Sequence, residues 1–374
     1  MKDRLALIAA VALALASGIQ IVPPNEADAA AAEWRDAGSL LAPRAYGDAV
    51  PLRDGKILVL DGLDGSDDVV SSGAEIFDPR TGRAQPVSGR GSRIHSTITT
   101  LQDGRILVAG GSDRVGNAWR DEADVEIFDP RTRSWSEAKP LLTSRADHGA
   151  ALLSDGRVLV AGGHRGVVFL DGVEIFDPAR NTWTVVARLP KSRSQFSIAT
   201  LLDGRVLVAG GFEDGQPSKT SVIYDPRTDI WSDGPELSVE RALHATVALP
   251  NGDVLLVGGQ RAAAGTAERY DFKRNAFVYA GTLSSPRMLP FAFALRDGRI
   301  VAGGGLPRPA QILDHFAPTA TTEIYDRVAN TWVPGPTLLE PIAFAGIVVD
   351  RDGAWLFGGA AEDEQPSARI QRFR

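Results

Sequence analysis

Cysteine is absent from the chain. That excludes disulfides, soft thiolate ligation of a metal, and lipid attachment through an N-terminal cysteine. The core must then be held by burial alone, which a chain of 374 residues can achieve. An excess of positive charge is absent too: the formal net charge is −7. The arginines are spread along the chain rather than gathered on one stretch, so neither a nucleic-acid partner nor an anionic membrane surface is expected. There is no Gly-x-Ser-x-Gly, no phosphate-binding loop and no His-Glu-x-x-His. After the first thirty residues no apolar run is long enough to span a bilayer.

Those first residues read as a secretory signal peptide over 1–29. Lys2 and Arg4 precede an Ala/Leu-rich run from Leu5 to Val22, Pro23-Pro24 breaks it, and Ala27-Asp28-Ala29 is a small-x-small cleavage pattern. The expectation is an exported protein, secreted or periplasmic, with no membrane insertion once the signal is cut. The remainder, 30–374, reads as one domain.

What the chain has in abundance is a repeat. Gly55, Gly104, Gly156, Gly204, Gly252, Gly298 and Gly353 recur every 46 to 55 residues. Each follows Asp or Asn and precedes a short apolar run such as Val158-Leu159-Val160-Ala161. A glycine pair usually ends that run, as at Gly110-Gly111, Gly162-Gly163 and Gly210-Gly211; the first copy has Asp61-Gly62. A second signal follows a variable loop: Glu75 to Pro79, Glu126 to Pro130, Glu174 to Pro178, Val222 to Pro226, with looser copies from Glu268 and Glu323. Six residues beyond the Asp stands an aromatic: Trp135, Trp183, Trp231, Phe277, Trp332. Gly after Asp accepts the positive φ of a tight hairpin, and Asp-Pro presets a second turn. Each copy therefore holds four short strands, a to d, in an all-β meander.

This pattern resembles the kelch family, whose marks are a Gly pair after strand b, an aromatic near strand c and a Trp on strand d. The resemblance spans residues 34–374 and implies a seven-bladed β-propeller of four-stranded blades. Spacing suggests how the ring closes. Each strand-d aromatic lies 21 residues before the next turn glycine, and Trp34 lies 21 before Gly55 with no copy ahead of it. Residues 368–374 look like a strand c with no strand d behind it. The N-terminal strand is thus expected to complete the last blade, which hides strand edges.

In such a meander the a–b and c–d turns share one face, and the variable b–c and d–a loops share the other, where binding usually sits. Two slots open strand a on that face. Arg44, Arg93, Arg145, Arg193, Arg241 and Arg287 fill the first, with Ile342 in the last copy; the guanidiniums are expected to bond carbonyls or the strand-c Glu. Two residues on, the slot varies: Tyr46, His95, Asp147, Gln195, Leu243, Leu289, Phe344. In kelch relatives that slot faces the central opening. It would set a polar arc, Tyr46 to Gln195, against an apolar arc ending at Phe344, with the long loop carrying Arg308, Gln311, Asp314 and His315 reaching over. Tyr46, His95, Asp147, Gln195, Phe344, Arg308 and His315 are the ligand-binding candidates.

Two kelch precedents are enzymes. Galactose oxidase holds copper through two Tyr and two His, one Tyr being linked to Cys; here that Cys is missing, and only Tyr46 is central. Envelope kelch proteins that isomerise sialic acid are similar in size and export, but no motif of theirs transfers to this chain. Asp61, Asp64, Asp67 and Asp68 could gather round Ca²⁺ but lack EF-hand spacing, so a solvated loop is the expectation. No metal and no cofactor are therefore expected. The function expected is a monomeric binding module for a glycan or protein of the cell envelope or extracellular space. The alternative is a carbohydrate-active enzyme, a sugar epimerase, isomerase or oxidase-like protein, with His95 and Asp147 as an acid–base pair.

Overall fold

A computed structural model describes residues 32–65, 73–88, 93–115, 118–307 and 316–374. The proposed signal peptide, Arg308, His315, Asp67 and Asp68 lie outside these. The described residues form seven four-stranded antiparallel sheets and three small hairpin sheets. Apart from short 3₁₀ turns there is no helix among them, and none long and apolar enough to cross a membrane.

The third sheet shows how the repeat makes a sheet. Its strands are Gly149–Leu152, Val158–Ala161, Val173–Asp177 and Thr182–Val185, paired in that order. At the a–b turn Gly156 has φ 89°, and the Gly156 amide donates to the Leu153 carbonyl at 2.9 Å. Asp155 accepts from the Arg157 amide at 3.1 Å and from its Nε at 2.8 Å. At the c–d turn Asp177 accepts from the Ala179 and Arg180 amides at 2.9 and 3.0 Å. These bonds are why Asp recurs at both turns.

Strand b is apolar on both sides because both sides are covered. Leu159 and Ala161 pack against the fourth sheet, with Phe196, Ile198 and Val208. Val158 and Val160 pack against the second, with Leu107 and Ile127. Full burial of each such side chain contributes roughly 2 kcal/mol, so the run cannot alternate with polar residues. At the outer strands Trp183, Trp231 and Trp332 donate from Nε1 to the carbonyls of Lys139, Ala187 and Ala280, at 2.7 to 2.8 Å. Each of these carbonyls belongs to the preceding sheet or its exit.

In the last sheet Gly346–Asp350, Gly353–Phe357 and Ser367–Phe373 are joined by Trp34–Arg44. Trp34 pairs with Phe373, Arg35 with Arg372 and Asp36 with Gln371. Trp34 is buried edge-on to Phe373, ring centroids 5.1 Å apart. This sheet packs against the first one through Val348, Phe357 and Ile370 on one side and Ala49, Val59 and Phe77 on the other.

Candidate functional site

Six of the seven sheets are entered from the variable-loop face by one device. The residue after the arginine slot bridges to the third residue after the strand-b end, as Ala45 to Leu63, Ile94 to Ser112, Ala146 to His164, Ser194 to Phe212, Met288 to Leu306 and Ala343 to Ala360; in the fifth a single bond, from Gln260 N to Ala242 O at 3.0 Å, takes its place. The next residue is left-handed in every sheet: Tyr46, His95, Asp147, Gln195, Leu243, Leu289 and Phe344 have φ between 52° and 61°. That conformation costs a non-glycine residue about 1 kcal/mol. Backbone bonds between neighbouring sheets hold it. Asp147 N donates to His95 O at 3.2 Å, Gln195 N to Asp147 O at 3.2 Å, and Leu289 N to Leu243 O at 2.9 Å. The varied slot is thus one structural position, and its side chains meet.

They do not meet as two facing arcs. The Tyr46 and Phe344 rings meet at a 30° tilt with centroids 4.1 Å apart, and Phe316, from the end of the long loop, lies beyond Phe344 at 6.2 Å. These rings join Leu243, Leu289 and Met288 in one buried cluster, against which Trp119 and Phe212 also pack. Tyr46 therefore belongs to the apolar side, because the last and first sheets are neighbours and bring Phe344 beside it. Tyr46, His95, Asp147 and Phe344 are all buried, whereas Gln195 is half-buried.

The polar side is a linked chain of groups. Asp147 Oδ1 lies 3.0 Å from His95 Nδ1. Its Oδ2 lies 3.2 Å from His164 Nε2 and accepts from Gln195 Nε2 at 2.7 Å. On its other side His164 Nδ1 faces Asp121 Oδ2 at 3.5 Å. Asp121 also accepts from Ser112 Oγ and from the Gly166 amide, both at 2.6 Å. Burial opposes charge on Asp147, but the facing His95 and His164 outweigh it and hold its carboxyl well below the ordinary range. Burial likewise pulls His164 down, and the carboxylates of Asp121 and Asp147 overcome it, pushing the imidazole up to about 10. His164 is thus an imidazolium between two carboxylates. His95 Nε2 is enclosed and has no hydrogen-bond partner.

His164 and Asp121 were not among the sequence candidates. His164 opens the hairpin His164–Arg165 and Val168–Phe169, and Asp121 ends the hairpin Ser112–Val115 and Ala118–Asp121. One signal in the sequence pointed to His164. It directly follows Gly162-Gly163, in a slot that varies from sheet to sheet as the central one does.

The repeat arginines turn inward to their own sheets. Arg145 donates to the Gly162 and Gly172 carbonyls at 2.8 and 2.9 Å and to Glu174 at 2.7 Å. Arg44, Arg241 and Arg287 meet Glu75, Glu268 and Glu323 in the same way, and Arg93 meets Glu126. The fourth sheet has Val222 where the other arginine-bearing sheets have that glutamate, and Arg193 takes Glu213 from the neighbouring hairpin at 2.9 Å. His148 and His244 are buried between sheets, against Thr97 Oγ1 at 2.8 Å and Ser197 Oγ at 2.6 Å. Burial, with Arg145 and Arg241 beside them, pushes each imidazole down to about 3. Asp61 is buried rather than solvated: it accepts from the Arg93 amide at 3.1 Å and Ser96 Oγ at 3.0 Å.

A copper centre of the galactose-oxidase kind does not fit these residues. Tyr224, Tyr270 and Tyr325 bond Asp229, Asn275 and Asn330 at the c–d turns, and Tyr279 is exposed on the outer strand Ala276–Thr282, leaving Tyr46 alone at the centre. Among the described residues no three His, Asp or Glu side chains are arranged to hold a metal ion.

Residues 99–142, 145–190 and 193–238 each match the kelch motif. No curated protein sequence matches the chain. A solved structure described as a novel fungal alcohol oxidase with catalytic diversity among the AA5 family, in complex with copper, is similar in fold. It is 19% identical, with a TM-score of 0.74 over 91% of this chain and 76% of that one. Three consecutive stretches of the chain thus carry the kelch motif, and its fold is similar to that of the AA5 propeller structure.

Proposed function

We propose that this chain is an exported, monomeric kelch propeller that binds a glycan or protein ligand of the cell envelope or extracellular space. Its seven sheets would be the blades of one closed ring, with Trp34–Arg44 completing the last. Closure is supported by a bond that recurs from sheet to sheet. The second glycine of each pair donates to the carbonyl of the next first-slot residue: Gly111 to Arg145, Gly163 to Arg193, Gly211 to Arg241, Gly259 to Arg287, Gly305 to Ile342. Gly62 does so to Arg93, and Gly359 to Arg44.

The ligand site would lie at the centre of the variable-loop face. The observation that carries this is the chain Asp121, His164, Asp147, His95 and Gln195 set against the Tyr46 and Phe344 rings. Buried polar groups beside aromatic faces suit a ligand with hydroxyls or amides on one side and an apolar face on the other. A thermal-shift and glycan-array screen would find the ligand, and Tyr46→Ala with Gln195→Ala tests the place. Loss of binding in a variant that still folds is expected; binding that survives both changes would put the site elsewhere.

A second reading is a carbohydrate-active enzyme, and the 3.0 Å approach of His95 Nδ1 to Asp147 favours it. A carboxylate that orients an imidazole is the arrangement of a general base. The related AA5 protein is named as an alcohol oxidase, but its copper chemistry has no donor set here. Turnover of the ligand found in the screen, abolished by Asp147→Asn, would select this reading. Binding without turnover would remove it.

A further inference from the structure

We propose that the hairpins of the second and third sheets form a docking surface for an acidic polypeptide segment, one that sets carboxylates beside aliphatic side chains. The surface lies on the variable-loop face but uses none of the central-slot residues, so it stands apart from the central-site reading above.

The two hairpins are joined. Ser112–Val115 pairs with Ala118–Asp121, and His164–Arg165 with Val168–Phe169. Asp121 ties one to the other, accepting from the Gly166 amide at 2.6 Å and facing His164 Nδ1 at 3.5 Å. A surface held in this way before a partner arrives loses less freedom on binding.

The first ground is a turn whose residues do not suit water. Two-residue hairpin turns favour Asn, Asp and Gly. The fourth sheet carries the corresponding hairpin, Phe212–Glu213 with Gln216–Pro217, and it turns on Asp214-Gly215. In the third sheet the turn is Gly166-Val167, followed by Val168, and these two valines are 93% and 59% exposed. Val115, on the joined hairpin, is 50% exposed. The fold is made next door without such valines, and water does not favour them. Aliphatic side chains exposed together, rather than singly, mark an interaction surface.

The second ground is charge. The exposed residues of these two hairpins are aliphatic, glycine or arginine, the arginines being Arg120 and Arg165. Arg165 forms no ion pair among the described residues. The carboxylates of the hairpins are turned to internal bonds: Asp121 as above, and Asp113 on the Arg114 amide at 2.7 Å. On a chain of net charge −7 this is a local basic face, complementary to carboxylates beside apolar side chains. An anionic bilayer would meet the negative charge of the whole molecule. A glycan would want a bare aromatic face, and Trp119 has Arg114 over its ring at 5.8 Å.

The probes are labelled peptides of alternating Glu and Leu, of Lys and Leu, and of Glu and Ser, titrated into the protein by fluorescence anisotropy. The Glu/Leu peptide is expected to bind at least about tenfold more tightly than either of the others, and more weakly as salt is raised. Val167→Ser with Val168→Gln should weaken it by about tenfold or more. Arg165→Glu should weaken it likewise and improve binding of the Lys/Leu peptide. Melting curves show whether each variant folds; should Arg165→Glu fail to, the valine pair and the ranking of the peptides decide. Equal binding of the Lys/Leu peptide, or Glu/Leu binding that survives the valine substitutions, would overturn the proposal. So would Glu/Leu binding lost in Tyr46→Ala with Gln195→Ala but kept in the valine variant, which would move it to the central site. Binding of none of the peptides overturns it too, and phosphatidylserine vesicles that bind in their place would assign the valines to a membrane.

Discussion

The amide of Gly359 donates to the carbonyl of Arg44, 2.6 Å away, and so ties the last sheet to the arginine that holds the first. Six other glycine amides make the same bond to the next first-slot residue. Except in the first sheet, where Asp61 stands, the residue before each of these seven is a glycine confined by the same approach. A Cβ on Gly162 would lie 2.4 Å from the Arg193 carbonyl, and on Gly358 2.6 Å from that of Arg44.

A matched pair of substitutions separates this crowding from backbone strain. Gly162 and Gly166 have φ 61° and 58°, but a Cβ on Gly166 would meet nothing within 4 Å. Gly166→Ala should cost about 1 kcal/mol, the strain alone. Gly162→Ala should cost clearly more, because a carbonyl must move and its bond with it. Urea denaturation of both variants checks the difference; equal losses would mean that the approach is not what selects glycine.

Trp34→Ala should destabilise the protein by ~3–5 kcal/mol, as for other large buried aromatics. The indole is surrounded by Phe291, Phe293 and Phe373. Equilibrium unfolding is the measurement, and a loss below about 1 kcal/mol would show that this strand is not holding the last sheet.

The last sheet suggests its own repair experiment. Ile342 stands in the arginine slot, and Gln371, not glutamate, accepts from the Leu339 amide at 2.8 Å. A charged pair elsewhere is matched here by a neutral one. Arg145→Ala leaves Glu174 buried and unpaired and should cost ~3–5 kcal/mol. Arg145→Ile together with Glu174→Gln copies the last sheet and should recover much of that loss. A double variant no more stable than Arg145→Ala would show that the two sheets are not interchangeable.

Stability should peak near neutral pH. His164 is raised from 6.5 to about 10, so its contribution is complete below pH 6.5 and disappears as pH rises through 10. His148 and His244 are lowered from 6.5 to about 3, so the unfolded chain takes up protons first. Their neutral burial therefore costs stability as pH falls from 6.5 toward 3. Melting temperature against pH should show both slopes. His164→Gln should flatten the alkaline one and His148→Asn the acid one; slopes that persist in these variants would assign them to other groups.

The frame was legible because sheet turns impose residues at fixed offsets. Gly156 needs positive φ, Asp155 and Asp177 bond amides two residues on, and Leu159 is buried whichever sheet lies beside it. The central slot was legible for the same reason, as a fixed offset from a repeated arginine. Asp121 was not, because it sits on a hairpin whose length changes from sheet to sheet. Nor could spacing show that Arg193 finds Glu213 rather than a strand-c partner, or that Tyr46 packs closer to Phe344 than to His95. Those outcomes depend on which side chains share a volume, and period alone carries no such information.

The pairing of Trp34 with Phe373 has a consequence for biosynthesis. Trp34–Arg44 finds its sheet partner only when Ser367–Phe373, far downstream, has emerged. Until then the growing chain can assemble its inner sheets in order, but both ends of the array are bare: one lacks its neighbour, the other its outer strand. Contacts of such long sequence separation form late, after the local hairpins. A chain stalled or clipped short of Ser367 would therefore leave Trp34–Arg44 without the strand it pairs with. A protease could read that bare strand as unfinished, whereas in the described fold its edge is covered by Ser367–Phe373.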